Sequence, residues 1–451
     1  MYRQTKRTNS MVDANVAIIS ELKQFLEEVS TNMSLKQRFV EKLSDFSRER
    51  VLTFKRVVGL LINMPKRSLS VEVREFFANL SGDETCNKSA FCMQRGKLKP
   101  SFFQEWLALF VKLFYHHYGD KVQRWRGFLI QAVDGSTTYL VNKQEVIEHF
   151  GTQDNQFTSI PMAQVVQIHD VLNDITIWGD IYPIKTSEQS IIAKNLHYFS
   201  QNSIALFDRG YPSYGLIYLL EKQSSLFVMR AKVGFNKEVK EFMESPMTDT
   251  IAYFTPNNVA QKNLQEYGYN ITCETKVKVR LVKIKLDSGE TEVLITNLYD
   301  EQLFSIKDLS YLYSLRWGVE TCYGKEKNQQ QLEIFSGHRV ICIYQDYHAT
   351  LFVANIQSLI EKQSKDYLAA VSKRRTYQYK INRNVSWAVL KNTIFKLFIE
   401  EADPKQLLLY LQHLFEICLE PVRPNRKVKR VKKSRRMYGK YQTVTNYKRT
   451  I

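Results

Sequence analysis

Four side chains near residue 320 stand at a spacing that gathers unlike chemistry on one surface. Tyr313, Arg316, Glu320 and Lys327 follow one another at intervals of three, four and seven. On an α-helix turning about 100° per residue they fall within about 60° of each other. A carboxylate set among a phenol and two cations suits a phosphate ester held beside a metal ion. An Arg-Glu pair four apart also serves as local charge balance on a solvated helix, which accounts for Arg316 and Glu320 but leaves Tyr313 and Lys327 without a task. Two more carboxylates follow short apolar runs: Phe128 to Val133 stops at Asp134-Gly135-Ser136, and Ser203 to Phe207 stops at Asp208-Arg209-Gly210-Tyr211. Asp134, Asp208 and Glu320 offer hard oxygen donors without histidine or thiolate, the donor set of Mg²⁺ or Mn²⁺. Two such ions about 4 Å apart activate water or a 3′-hydroxyl on one side of a phosphodiester and stabilise the departing oxygen on the other. An aspartate after a strand is as readily a turn residue, and periodicity alone does not bring the three together. Asp170, Asp174 and Asp180 lie in or near a hairpin, where turn chemistry explains them.

The elements that must position these groups are legible from hydrophobic period. Residues 36 to 118 keep helical spacing, as in Leu52, Val57, Val58, Leu61 and Ile62 and again in Leu69, Val73, Phe76, Phe77 and Leu80. Ser81-Gly82-Asp83 ends the second run, and a short helix near Asn87 to Leu98 carries Lys88, Gln94, Arg95 and Lys97 before the aromatic helix from Phe102 to Tyr118. Two short helices around a glycine-containing turn fit a helix-turn-helix whose second member enters a major groove, with Lys88 and Arg95 on the DNA; a solvated face of an ordinary helical domain fits as well. From Phe128 the period becomes strand-like. Met162 to Val171 and Ile175 to Ile184 flank the turn Leu172-Asn173-Asp174. A helical stretch runs from Ser187 to Ser200, and residues 224 to 298 are again strand-rich, with a change of phase between Val277-Val279-Leu281 and Val282-Ile284-Leu286 that predicts a bulge or kink. Helix returns beyond 305 to about 420.

Composition narrows the class. The chain has 451 residues, 44% of them apolar, with 64 Lys and Arg against 46 Asp and Glu and a formal charge of +18, so it carries enough apolar surface for a sizeable core. No apolar run has the length of a membrane span, and the first residues, MYRQTKRTNS, lead into a polar stretch, which predicts neither span nor secretory leader. Cys86, Cys92, Cys273, Cys322, Cys342 and Cys418 have no CxxC spacing, so neither a zinc module nor a disulfide framework is predicted and the thiols read as reduced. Residues 421–451 hold twelve Lys and Arg and no acid. Such a tail cannot bury a face and needs an anionic partner, nucleic acid before anionic lipid; a role in solubility alone also fits.

The spacing Tyr313-x2-Arg316-x3-Glu320-x6-Lys327, with Asp134-Gly135-Ser136 and Asp208-Arg209-Gly210-Tyr211, resembles the bacterial insertion-sequence transposases of the fourth family, whose signature is this Y-R-E-K helix. The resemblance extends to Phe54 to Phe77 with Lys66-Arg67-Ser68, Ser89-Ala90-Phe91, Leu294 to Leu298, Gly337-His338, Gln345-Asp346-Tyr347, Asn382-Arg383-Asn384 and the basic tail. It implies an α/β fold: a ribonuclease H-like catalytic core with an all-β insertion, preceded by a helical DNA-binding domain. The layout is a helical DNA-binding part at 1–120, the first part of the core at 121–223, the β-rich insertion at 224–300, the rest of the core with C-terminal helices at 301–420, and the tail at 421–451. It further implies a Mg²⁺-dependent triad of Asp134, Asp208 and Glu320, with Mn²⁺ as substitute, and cut-and-paste transposition of double-stranded DNA with cleavage at terminal inverted repeats and strand transfer into target DNA, in studied relatives through a hairpin end. Tyr313, Arg316 and Lys327 would hold phosphates, and Trp317 would stack on an unstacked base or else pack in the core. A homodimer on DNA and a cytoplasmic, nucleoid-associated location in a bacterium complete the implication. A host nuclease on the same core, or a transposase descendant that binds DNA without catalysis, are the alternatives.

Overall fold

The computed structural model describes residues 9–423 apart from 49, 64–65, 81–83, 155–157 and 286–288. The turn Ser81-Gly82-Asp83 and the tail beyond residue 423 lie outside the described residues. The chain opens with helices α1 (Asn9–Thr31), α2 (Met33–Lys36), α3 (Phe54–Ile62), α4 (Leu69–Ala78), α5 (Lys88–Arg95) and α6 (Ser101–Tyr118). Local chemistry sets their starts: the Thr53 side chain accepts from the Arg56 N–H, and Asn87 from that of Ala90.

A mixed sheet follows, built of β1 (Leu129–Tyr139), β2 (Thr152–Asp154), β3 (Ser159–Asp170), β4 (Ile175–Pro183), β5 (Ser203–Phe207), β6 (Leu226–Ala231), β7 (Asp249–Phe254), β8 (Val277–Lys285) and β9 (Thr291–Thr296). The strand order is β2-β3-β1-β5-β6-β9-β8-β7, with β4 on β3. Among the described residues only β1, β5 and β6 pair in parallel. The strands 226–296 therefore continue the sheet that carries Asp134 and Asp208. Between and after them come α7 (Gln144–Phe150), α8 (Glu188–Lys194), α9 (Tyr214–Lys222), α10 (Lys237–Glu244), α11 (Asn258–Glu266), α12 (Ile306–Leu315), α13 (Trp317–Asn328), α14 (Val340–Gln363), α15 (Lys365–Lys373), α16 (Arg383–Lys391), α17 (Lys396–Ile399) and α18 (Pro404–Ile417), with a ribbon of β10 (Gln378–Ile381) and β11 (Leu419–Val422).

Each sheet face buries its own apolar layer. Helices α8 to α11 cover one face, and α7, α12, α13 and the first half of α14 cover the other. A third core lies among the helices at the two ends of the chain, where α1, α3 and α6 close on α14 and α16 to α18. Trp106 stacks on Phe352 with ring centroids 4.0 Å apart, and the Asn15 amide donates to the Leu359 carbonyl at 3.0 Å. The helices before residue 120 thus share their core with the C-terminal ones.

Several expectations need correction. The segment 224–300 is not all-β: Asn236 and Asn257 cap α10 and α11 by accepting from the Val239 and Ala260 N–H groups, and Val239, Phe242 and Leu264 bury the inner sides of those helices. No bulge marks β8, whose register runs evenly against β7 and β9. Val277, Val279 and Leu281 fill one face's core while Val282 and Ile284 fill the other's, so the change of phase records an interior strand packed on both sides. The first strand does not stop at Asp134 but runs to Tyr139, because β3 continues to pair with it after β5 has ended.

Arg95 does not present itself to DNA. It is 1% exposed. Its Nε donates to Gln345 Oε1 at 2.9 Å, and its terminal nitrogens donate to Ser336 Oγ at 2.6 Å and Asp346 Oδ1 at 3.0 Å. The Gln345 amide returns bonds to the carbonyls of Arg95 and Leu98 at 2.9 and 2.6 Å. Arg95 ties α5 to the start of α14; Lys88, at the other end of α5, is exposed.

Candidate active site

Parallel register brings the first two carboxylates together. Val133 of β1 pairs with Phe207 of β5, and Phe207 with Met229 of β6. The next residues are Asp134, Asp208 and Arg230, so these three lie in a row across the C-terminal ends of adjacent parallel strands, the usual place for a site in an open sheet. Beyond Phe207 the chain turns, and the Tyr211 N–H closes on the Asp208 carbonyl at 3.0 Å. Asp134 stays in the strand, opposite Gln167 of β3. Ile130 and Ala132 enter the core beneath α12 and α13, and by strand alternation Asp134 projects to the same face.

The third carboxylate arrives on α13. A capping box of Ser305 and Asp308 starts α12, and Arg126 clamps Asp308 at 2.8 Å. The expected single helix is interrupted at Arg316, which ends α12 and starts α13. Two i to i+3 bonds, Arg316 N–H to Tyr313 O at 3.1 Å and Val319 N–H to Arg316 O at 3.2 Å, tighten the joint. Gly318 lets the helix approach the β3–β4 turn, because a Cβ there would lie 2.9 Å from Val171 Cγ1.

The Y-R-E-K residues meet the strand ends despite the break. Tyr313 donates its hydroxyl to Asp208 Oδ1 at 3.1 Å. Arg316 donates to Glu320 Oε1 at 2.7 Å, with its Nε 4.0 Å from Asp208 Oδ1. Lys327 donates to Ser136 Oγ at 2.7 Å and the Thr137 carbonyl at 2.6 Å, just past Asp134 on β1. The Tyr323 hydroxyl holds the Asp134 carbonyl at 2.9 Å. Arg316 is 2% exposed, yet its Nε and one terminal nitrogen have no hydrogen-bond partner. Unpaired buried donors are costly, and a guanidinium with two of them free is poised for an anion. Trp317 is 58% exposed beside it, with the Arg316 guanidinium 5.1 Å from the indole centroid; the core alternative for this tryptophan is set aside.

The electrostatics follow from that crowding. Burial, partly opposed by Arg316 and reinforced by the charges of Glu320 and Glu188, raises Asp134 from 3.8 to about 7. Burial pushes the Tyr313 phenol up, with Arg316 opposing and Asp208 adding to it. Burial also lowers Lys327. Among the described residues no three His, Cys, Asp or Glu side chains form a ready-made metal cage, because Arg316 stands between Asp208 and Glu320. The donor chemistry nonetheless fits a hard divalent ion: the oxygens are carboxylate, the first carboxyl is held up by burial and then by the negative charge of Glu320 and Glu188, which a cation would relieve, and release of Glu320 from Arg316 would free an oxygen.

Arg230 has no signal in the sequence around it. It lies one position past Met229 in the row of strand ends and pairs with Glu292 at 2.6 Å, and it is among the charges that act on the Tyr313 phenol. Only the register across three strands reveals it. Asp170 and Asp174 are occupied elsewhere: Asp170 accepts from Tyr115 at 2.8 Å, and Asp174 takes Lys325 at 2.9 Å together with Arg383. Asp180 faces His348 at 3.1 Å.

Among the described residues no helix is long and apolar enough to cross a membrane, and all six cysteines are free. Among curated proteins none matches the chain. A solved structure described as a cryo-EM structure of piggyBac transposase synaptic complex with hairpin DNA is similar over 97% of this chain and 90% of that chain, at a TM-score of 0.43 and 11% identity. Residues 155–356, which carry Asp208, Arg316 and Glu320 but begin after Asp134, match the family model described as Transposase DDE domain.

Proposed function

We propose that this chain is a DDE transposase of the fourth insertion-sequence family, cleaving double-stranded DNA at terminal inverted repeats and joining the freed ends to target DNA. The observation that carries the reading is the meeting of Asp134 and Asp208, in parallel register, with Glu320 through Arg316. The match of residues 155–356 to a Transposase DDE domain supports it. In this reading the sheet and its flanking helices are a ribonuclease H-like core, residues 1–120 contribute DNA-binding helices with Lys88 on their surface, the segment 224–300 borders the DNA end, and the tail from 421 neutralises phosphates. The protein works as a homodimer on paired ends.

Asp134, Asp208 and Glu320 would hold Mg²⁺, with Mn²⁺ as its substitute. When bound, the metal supplies activation of the attacking oxygen and charge neutralisation at the departing one. The chain's own residues do the rest by position and charge. Arg316 turns its two free N–H groups to the scissile phosphate. Lys327, anchored on β1 beyond Asp134, and Arg230, beside Asp208, add positive charge at the edges. Tyr313 fixes the Asp208 carboxylate by its hydroxyl, and Trp317 offers an exposed ring on which a base swung from the stack can rest. A hairpin intermediate on the transposon end is compatible with that ring.

The test is incubation of the full chain with Mg²⁺, a plasmid and pre-cleaved ends bearing 3′-hydroxyls. Joined products are expected; hydrolysis without joining would identify a nuclease, and neither product with binding retained would identify a DNA-binding protein. Lys327→Met is expected to slow cleavage about tenfold to a hundredfold while end binding, measured by gel shift, changes less than threefold. Equal losses in both would make Lys327 a general phosphate contact.

A further inference from the structure

A fourth carboxylate reaches the same strand ends from the opposite side of the sheet. Glu188 is the first residue of α8, which packs with Ile191 and Ile192 on the face away from α13. It comes so close to β1 that a Cβ on Gly135 would lie 2.1 Å from Glu188 Cδ and 2.2 and 2.4 Å from its two oxygens. The carboxylate group thus lies directly over Gly135, whose lack of a side chain leaves it room beside Asp134. Gln164 of β3 steadies Glu188 Oε1 by donating its amide at 2.7 Å.

A buried hydroxyl points into the same space. Tyr211 is 1% exposed, and its oxygen lacks a partner in hydrogen-bond geometry although it approaches Glu188 and feels the charges of Asp134 and Asp208. A buried hydroxyl that approaches Glu188 without hydrogen-bond geometry, within reach of the Asp134 and Asp208 charges, is costly unless something else occupies the site. The charge of Glu188 is also felt at Asp134. A helix cap or a packing contact does not account for a buried phenol without hydrogen-bond geometry beside the carboxylate.

We infer that Glu188 belongs to the divalent-cation site, supplying oxygen from the α8 side opposite to Glu320 and positioning, with Tyr211, the ion or its water against Asp134 and Asp208. This rests on the reading of Asp134 and Asp208 as metal-binding. Of the four carboxylates, Glu188 and Glu320 then close the row of strand ends from the two faces of the sheet.

Mn²⁺ titration of the full chain at neutral pH, read by the free-ion electron spin resonance signal, tests this without any turnover. The unsubstituted protein, Asp208→Asn and Glu188→Gln are compared, and Glu188→Asp is added because it keeps the charge and withdraws the group by one methylene. Weakening of at least about tenfold, or loss of one bound ion, is expected for Glu188→Gln, with an intermediate value for Glu188→Asp. If Asp208→Asn weakens binding and both Glu188 variants leave affinity and stoichiometry unchanged, the assignment of Glu188 is wrong and the triad stands. If the unsubstituted protein does not bind Mn²⁺, or Asp208→Asn leaves binding unchanged, both fall. Should the Glu188 variants fail to fold, cleavage of the unsubstituted backbone by Fe²⁺ and ascorbate decides: cuts near 134, 188 and 208 are expected, and cuts that spare 188 overturn the proposal.

Discussion

Asp134→Asn, Asp208→Asn and Glu320→Gln are each expected to lower DNA cleavage by at least about 10³-fold, the scale on which groups that act as one unit fail together. End binding, which in the proposed function relies on phosphate contacts elsewhere, should persist within about threefold. Asp134→Asn carries a second expected result. The folded protein holds Asp134 up to about 7, through burial first and then the nearby negative charge of Glu320 and Glu188. An acid whose folded pKa is raised retains a proton that the unfolded chain gives up, so its contribution to stability is complete below about pH 4 and is lost as pH rises to about 7. Asp134→Asn has no such ionisation. Without metal at pH 8 it should be more stable than the parent by on the order of 1 kcal/mol, the full shift being discounted for solvent at the open strand ends. Chemical denaturation at pH 5 and pH 8 reads this directly: the gain should shrink at the lower pH. A variant that cleaves normally in Mg²⁺ removes its residue from the triad.

Arg95→Met is expected to be the most damaging substitution away from the site. It strips a buried guanidinium from Asp346, Gln345 and Ser336 at once and leaves the Asp346 charge in the core, for which about 3–5 kcal/mol is typical. The urea midpoint should fall accordingly, and soluble yield with it. Unchanged stability combined with weakened DNA affinity would return Arg95 to the DNA surface.

What was legible in the sequence is what depends on neighbours along the chain. The apolar run ending at Asp208 and the spacing from Tyr313 to Lys327 are local patterns whose residues the structure brings to one end of the sheet; the turn at Leu172-Asn173-Asp174 is equally local and sits at the other end, where the Val171 N–H bonds to the Ile130 carbonyl. Arg95 was misread because a cation among amides on a short helix looks solvated, while its partners lie some 250 residues further on. Arg230 and Glu188 carry no local signal at all. One gains its place from strand register and the other from a helix packed against a glycine, and neither is written in the spacing of residue types. The phase change in β8 was visible but misassigned, because a strand interior to a sheet can exchange one buried face for the other without any irregularity in its backbone.

Helix α14 contributes Ile343, Tyr347 and Leu351 to the layer under the strands that end at Asp134 and Asp208, and Phe352, Ile356 and Leu359 to the core shared by the chain's two ends. It is a common axle for both halves. Cutting the protein near residue 120 would uncover apolar surface on each piece, so under the proposed function recognition and chemistry are inherited together, and a change in grip at the N-terminal helices is coupled through this packing to the strand ends.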